Sequence, residues 1–160
     1  MTDEYFTFTV ERSSHRLYLL ALSFTHNHHD SEDICQNVFL KLWKCEKPFE
    51  NDEHVDKWLT VVTINESKNF LRRASRIAPL EKEELLKQYS FENDEHLDLV
   101  HAVMSLSEKE SSVIQLYYYE EMTVREIADA LGIKESAVKA RLARGREHLK
   151  EMIGDDYNED

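Results

Sequence analysis

Glycine and proline are nearly missing from this chain, three and two residues in 160, and runs that alternate apolar with polar side chains are scarce. Sheets and barrels lean on both turn residues and on that alternation, so the expected fold class is all-α. The one β-leaning patch, TFTV at 7–10, is expected to be overridden by its helical surroundings. Cysteine is equally sparse. Cys35 and Cys45 stand ten apart with no further cysteine, which excludes a zinc-finger spacing and a disulfide scaffold. They suit a reducing compartment, where the default for a free cysteine is burial as a small apolar residue. Apolar runs of membrane-spanning length are absent, and the N-terminal MTDEYF has no basic region followed by an apolar core. Neither insertion nor secretion is expected, and the cytoplasm is the expected location.

An excess of positive charge is missing too. The net charge of −12 argues against a protein that binds nucleic acid loosely over its whole surface. The distribution is uneven, however: −3 over residues 1–75, −7 over 76–122, +2 over 123–151 and −4 over 152–160. DNA contact would be focused on the single positive block, and the acidic remainder would keep the free protein a weak DNA binder.

That positive block lies within residues 122–150, MTVREIADALGIKESAVKARLARGREHLK, which read as a helix-turn-helix. Thr123 and Glu126 have capping-box spacing, and Val124, Ile127, Ala128 and Leu131 recur on one helical face. Gly132 supplies a left-handed stop, and Ile133 is expected to plug the angle between the helices. The second helix packs Val138, Leu142, Gly145 and Leu149 on one side. Its basic residues, Lys139, Arg141, Arg144, Arg146 and Lys150, outnumber the acids Glu135 and Glu147. A helix lying in the major groove has to meet phosphates on both flanks, which explains such one-sided charge. Stepping 100° per residue from Val138 turns Ser136, Lys139, Ala140 and Ala143 away from the core, toward base edges. Of these, Ser136 and Lys139 can hydrogen-bond a base, and the alanines offer methyl contact. Arg141, Arg144 and Arg146 fall at the flanks, nearer to phosphates.

Upstream, a first helix running to about Thr25 should bury Leu17, Leu20, Ala21 and Phe24. Residues 26–30, HNHHD, read as a polar loop with Asp30 as the next N-cap. Ligands so close in sequence rarely close a tetrahedral site without a distant one, so no metal is expected at His26, His28, His29 and Asp30, and no cofactor is expected elsewhere. The helix that follows is apolar on two sides, with Ile34, Val38 and Leu42 on one stripe and Phe39 and Trp43 on another, Asp33 and Gln36 between. Such a helix sits inside a bundle, offers a side to a partner, or does both. After an acidic loop at 47–56, a third helix is expected to bury Trp58, Leu59, Val62 and Phe70 and to end in Arg72, Arg73 and Arg76. Arginines there also suit the helix dipole. Acids, Pro79 and a short leucine patch (Leu80, Leu85, Leu86) mark a linker. A helical stripe resumes at 97–104, and a second capping box, Ser107 with Glu110, opens a helix whose Val113, Ile114 and Tyr117 should pack on the helix-turn-helix. The expected organisation is two small helical domains, 1–76 and 94–160, joined by an acidic linker at 77–93.

In this arrangement the chain resembles the bacterial RNA polymerase sigma factors of the extracytoplasmic-function type, which keep only regions 2 and 4. Asp33, Gln36, Phe39 and Trp43, following Asp30 at regular spacing, look like the region 2.2 signature. Trp58-Leu59 through Asn65 to Arg72-Arg73 look like regions 2.3 and 2.4. Leu106-Ser107-Glu108, Glu126-Ile127-Ala128, Leu131-Gly132-Ile133, Val138-Lys139 and Arg141-Leu142 through Arg144 and Arg146 look like region 4. The resemblance implies a non-enzymatic subunit that directs promoter recognition and initiation. Asp33, Gln36, Phe39 and Trp43 would dock on core RNA polymerase, Asn65, Lys68, Arg72 and Arg73 would meet the −10 element, and the basic helix would read the −35 element. It also implies an anti-sigma partner. Four positions depart from the family pattern: Asn69 in place of an acid, Glu121 where glycine commonly closes the turn, Ala140 for a small hydroxyl residue, and Lys134 for a better N-cap. Two other functions stay open on the residues alone. One is an autonomous helix-turn-helix regulator that binds DNA without polymerase, and the other a metal-dependent enzyme around the histidine run.

Overall fold

The computed structural model describes residues 1–74 and 97–154, and every regular element among them is helical. The acidic linker at 77–93, Arg76 and the tail at 155–160 lie outside the described residues. The chain divides into two compact units, Met1–Pro79 and Leu80–Asp160.

The first unit packs three helices against one another: α1 (Asp3–Thr25), α2 (His28–Trp43) and α3 (Asp52–Ala74). α1 starts at Thr2, whose hydroxyl accepts from the Tyr5 amide at 3.2 Å, and it absorbs the TFTV patch. Leu17, Leu20, Ala21 and Phe24 are buried as expected. Residues 26–30 are not a loop. His26 ends α1 in the left-handed region (φ 50°) and Asn27 caps α2, its side chain accepting from the Asp30 amide at 2.9 Å. Asp30 therefore lies inside the first helical turn. Asn27 and Asp30 are both good N-caps, and the earlier one prevails because His26 has already reversed the chain.

The acidic loop is likewise shorter than 47–56, because Asn51 caps α3 by accepting from the His54 amide at 2.9 Å. The shared core consists of Leu17, Ala21, Ile34, Cys35, Val38, Leu42, Val55 and Leu59. Of the four residues expected to be buried on α3, Leu59 is in the core, while Trp58, Val62 and Phe70 are half-buried at its margin. The inner face of α3 instead carries Thr60, Thr63, Ile64 and Ser67 beside Val55 and Leu59. The two threonine hydroxyls are tolerated there because they bond back onto their own helix, Thr63 to the Leu59 carbonyl at 2.8 Å and Thr60 to that of Asp56 at 3.0 Å, whereas the buried Ser67 hydroxyl has no hydrogen-bond partner among the described residues. Arg12 and Tyr5 tie α1 to the start of α3 through Asp56 (2.7 Å) and Asp52 (2.6 Å).

The second unit contains α4 (Leu97–Ser105), α5 (Glu108–Ile114), α6 (Val124–Leu131) and α7 (Glu135–Ile153), with a π-helical turn at Gln115–Tyr119 continuing α5. Val100, Val103, Met104 and Leu106 are buried, and α4 packs on α5 and α7. Ser107 caps α5, but the second half of the expected capping box does not form. The Glu110 carboxylate turns away to His148 of α7, Oε2 to Nδ1 at 2.8 Å, because both lie where α5 crosses α7. Val113 and Ile114 are buried, but the next fully buried side chain is Leu116, and Tyr117 is only half-buried. α5 and α7 approach closely at Gly145, where a Cβ would meet Ile114 Cγ1 at 3.0 Å.

Candidate nucleic-acid and partner interfaces

In α2 the inward stripe of Ile34, Val38 and Leu42 fixes the rotation of the helix. Asp33, Gln36 and Trp43 are thereby exposed on the opposite side, with Phe39 half-buried at the border. Leu40 falls in the middle of the same sector and is 54% exposed. Leu40 was not singled out from the sequence, although its spacing from Asp33 (i+7) and Gln36 (i+4) places it on their face. Phe6 of α1 stacks edge-on to Trp43 with ring centroids 4.9 Å apart, which holds the indole while leaving it 48% exposed. An acid, an amide and two exposed large apolar side chains on one helical face have the composition of a partner interface.

On α3 the outward stripe reads Val61, Asn65, Lys68 and Arg72 at i, i+4, i+7 and i+11, with Arg73 alongside, all exposed but Lys68, which is half-buried. Val61 is 49% exposed and was missed because valine in a mainly buried helix reads as core. Arg72 Nη2 donates to Asn69 Oδ1 at 2.6 Å, and Glu66, Asn69, Arg72 and Arg73 line a shallow depression. Asn69, the residue that departs from the family pattern, thus orients a basic side chain without neutralising it. Lys41 of α2 pairs with Glu66 at the edge of this stripe.

In the helix-turn-helix both halves of the Thr123 capping box are made, with Glu126 N to Thr123 Oγ1 at 3.1 Å and Thr123 N to Glu126 Oε1 at 3.2 Å. Gly132 takes the left-handed turn (φ 68°). Val138, Leu142 and Gly145 are buried, which leaves Ser136, Lys139, Ala140 and Ala143 exposed along the outer face of α7. Arg141 is half-buried and Arg144 exposed, and among the described residues neither they nor Lys139 make an ion pair or hydrogen bond. Arg146 differs, since its guanidinium lies against Tyr117 and Tyr118 of the π turn. Lys134 stands at the N-cap without a side-chain bond.

The histidine run forms no cluster of metal ligands. His28 Nδ1 is 2.7 Å from the Tyr18 hydroxyl and Nε2 is 3.2 Å from Glu32 Oε1. Among the described residues no three His, Cys, Asp or Glu side chains are grouped to hold an ion. Burial pushes the Cys35 thiol up to about 12, with the Glu32 carboxylate adding to it, so this cysteine stays protonated and unreactive. No helix among the described residues is long and apolar enough to cross a membrane.

The description "Sigma-70 region 2" matches residues 9–77, and "Sigma-70, region 4" matches residues 96–149. The chain belongs to the sigma-70 family. It is an RNA polymerase sigma factor of the extracytoplasmic-function type, built on regions 2 and 4, and a promoter-recognition and initiation subunit, not an enzyme. Its relatives include SigW of Bacillus subtilis, 26% identical over 88% of this chain and 84% of that protein. SigV of the same organism is 28% identical over 79% of this chain and 78% of its own length. The ECF sigma factor SigE of Mycolicibacterium smegmatis is 27% identical over 90% of this chain, which spans 60% of SigE. Among solved structures, the fold is similar to RpoE of Bartonella quintana in complex with the anti-sigma factor NepR, with a TM-score of 0.66 at 21% identity, covering 96% of this sigma factor and 99% of that chain. It is also similar to CnrH in complex with the cytosolic domain of CnrY, with a TM-score of 0.55 at 24% identity and coverage of 97% and 91%.

Proposed function

We propose that this sigma factor divides its work among the three exposed faces. The outer face of α2, with Asp33, Gln36, Phe39, Leu40 and Trp43, docks on core RNA polymerase. The α3 stripe, with Asn65, Lys68, Arg72 and Arg73, meets the −10 element. The outer face of α7 reads the −35 element, Ser136, Lys139, Ala140 and Ala143 toward bases and Arg141, Arg144 and Arg146 toward phosphates. The two units correspond to a region 2-like domain at 1–76 and a region 4-like domain at 94–160. The protein acts in the cytoplasm. Its exposed apolar face is also open to an anti-sigma factor.

The observation that carries the proposal is the pairing of an uncovered apolar face on α2 with uncommitted cations on α7. An autonomous regulator with a sensing or dimerising N-terminal bundle needs the second, and would use the first on itself and not on polymerase. In an interface of this kind a few central residues dominate the binding energy, and reversing a charge among them is strongly unfavourable. Asp33→Arg should therefore abolish capture of core polymerase and promoter-dependent transcription while the circular dichroism melt stays where it was, since Asp33 is exposed and outside the core. Unchanged capture, or specific duplex binding at full strength without polymerase, would favour the autonomous regulator.

A further inference from the structure

We infer that Tyr118 and Arg146 together form a preorganised DNA-phosphate site, which extends the contact surface of the helix-turn-helix onto the π turn of the preceding helix. This rests on the assignment of α7 to DNA and adds to it a residue, Tyr118, that lies outside the helix-turn-helix. Three observations support it.

The first is the way the arginine is held. Arg146 Nε donates to the Tyr118 hydroxyl at 2.6 Å, and the guanidinium carbon lies 5.6 Å from both the Tyr117 and the Tyr118 ring centroids. The two rings meet edge to face at 5.0 Å, so they brace each other as well as the cation. Stacking on tyrosine and a bonded Nε fix the plane of the guanidinium before any ligand arrives, which removes ordering entropy from binding.

The second is what the clamp leaves over. Among the described residues Arg146 pairs with no carboxylate, and its two terminal nitrogens make no hydrogen bond. The Tyr118 oxygen accepts from Nε, which leaves its own proton available to donate, and the side chain is half exposed. A flat fork of N–H groups beside a polarised O–H, with no acceptor of their own, matches the oxygens of a phosphate.

The third is position. Lys139, Ala143, Arg146 and Lys150 follow at i, i+4, i+7 and i+11, and all are exposed. Arg146 thus belongs to a basic stripe that starts beside the base-facing residues of α7 and runs along one flank. The π turn brings two successive tyrosines to that flank. Single π turns inside α-helices recur at functional sites because they redirect side chains in this way.

The test uses the full chain and a short mixed-sequence duplex, titrated by fluorescence anisotropy over a range of low salt concentrations, with circular dichroism as the folding control. Arg146→Gln should lower the salt slope of log K by about one. Arg146→Lys keeps the charge without the fork and should retain the slope while losing affinity several-fold. Tyr118→Phe should lose a similar several-fold affinity for every sequence tried, and should add nothing on top of Arg146→Gln. If Arg146→Gln and Tyr118→Phe leave affinity and slope unchanged while Lys139→Ala and Arg144→Ala weaken binding, the clamp is structural and the inference fails alone. If none of the four weakens binding, the assignment of α7 to DNA fails with it.

Discussion

Glu121 holds a φ of 55° at the turn between the π-helical segment and the helix-turn-helix, one of two non-glycine residues in the left-handed region among those described. The family pattern has glycine there, and the backbone keeps the conformation that glycine would take without strain. An L-residue in this region carries about 1–2 kcal/mol of strain, partly offset because glycine loses more freedom on folding. Glu121→Gly should stabilise the second unit by about 0.5–1 kcal/mol, read as a higher denaturation midpoint with an unchanged slope. A lower midpoint would mean that the carboxylate makes a contact worth more than the strain. Single residues were also where sequence reasoning failed. Leu40 and Val61 were passed over because an aliphatic side chain in a rich helix carries no mark of which way it points. Thr60 and Thr63 did not read as core because their hydroxyls are satisfied only once the helix has formed.

At the scale of elements, the helices and both faces of the helix-turn-helix were legible because periodicity, the Thr123 box and Gly132 all agree. The join between α5 and α7 was not. Ser107 and Glu110 match a capping box locally, and only the packing of α7 across them shows that Glu110 goes to His148 instead. The π turn has no sequence signature either; Tyr117 meets the helix-turn-helix as expected, but through the Arg146 guanidinium at the margin, while Leu116 is the buried side chain. The Glu110–His148 contact has a consequence in pH. The hydrogen bond to Glu110 raises the pKa of His148, the charge of Glu110 adds to it, and Glu151 and Glu147 on its own helix contribute further. A histidine with a raised folded-state pKa stabilises the fold fully below its unfolded value of about 6.5, and that stabilisation fades as pH rises through the folded value. The second unit should therefore unfold at lower denaturant at pH 8 than at pH 6, and His148→Gln should flatten most of that difference. An equal pH dependence in His148→Gln would assign it to other groups.

The molecule as a whole carries −12, yet the helix-turn-helix that has to approach DNA lies in its one positive block. For a subunit that works inside a polymerase this is an advantage, because a free sigma factor that bound duplex strongly would be titrated by the excess of non-promoter DNA. Acidic segments covalently tied to α7 compete with phosphate for its cations or repel the duplex on approach, and both effects are long-range and screened. Residues 155–160 carry four acids and follow directly on α7 and its C-cap Gly154. Removing them takes the net charge to −8 without touching a described side chain. The shortened protein should bind a mixed-sequence duplex more tightly than the full chain at low ionic strength. The gain should shrink as salt approaches about 0.15 M, where the Debye length falls to about 8 Å. Its complex with core polymerase should be unaffected, since the α2 face proposed to dock on polymerase lies in the other unit. If the two proteins bind duplex equally at every salt concentration, the tail does not restrain α7, and any electrostatic restraint has to come from the acids upstream of the helix-turn-helix.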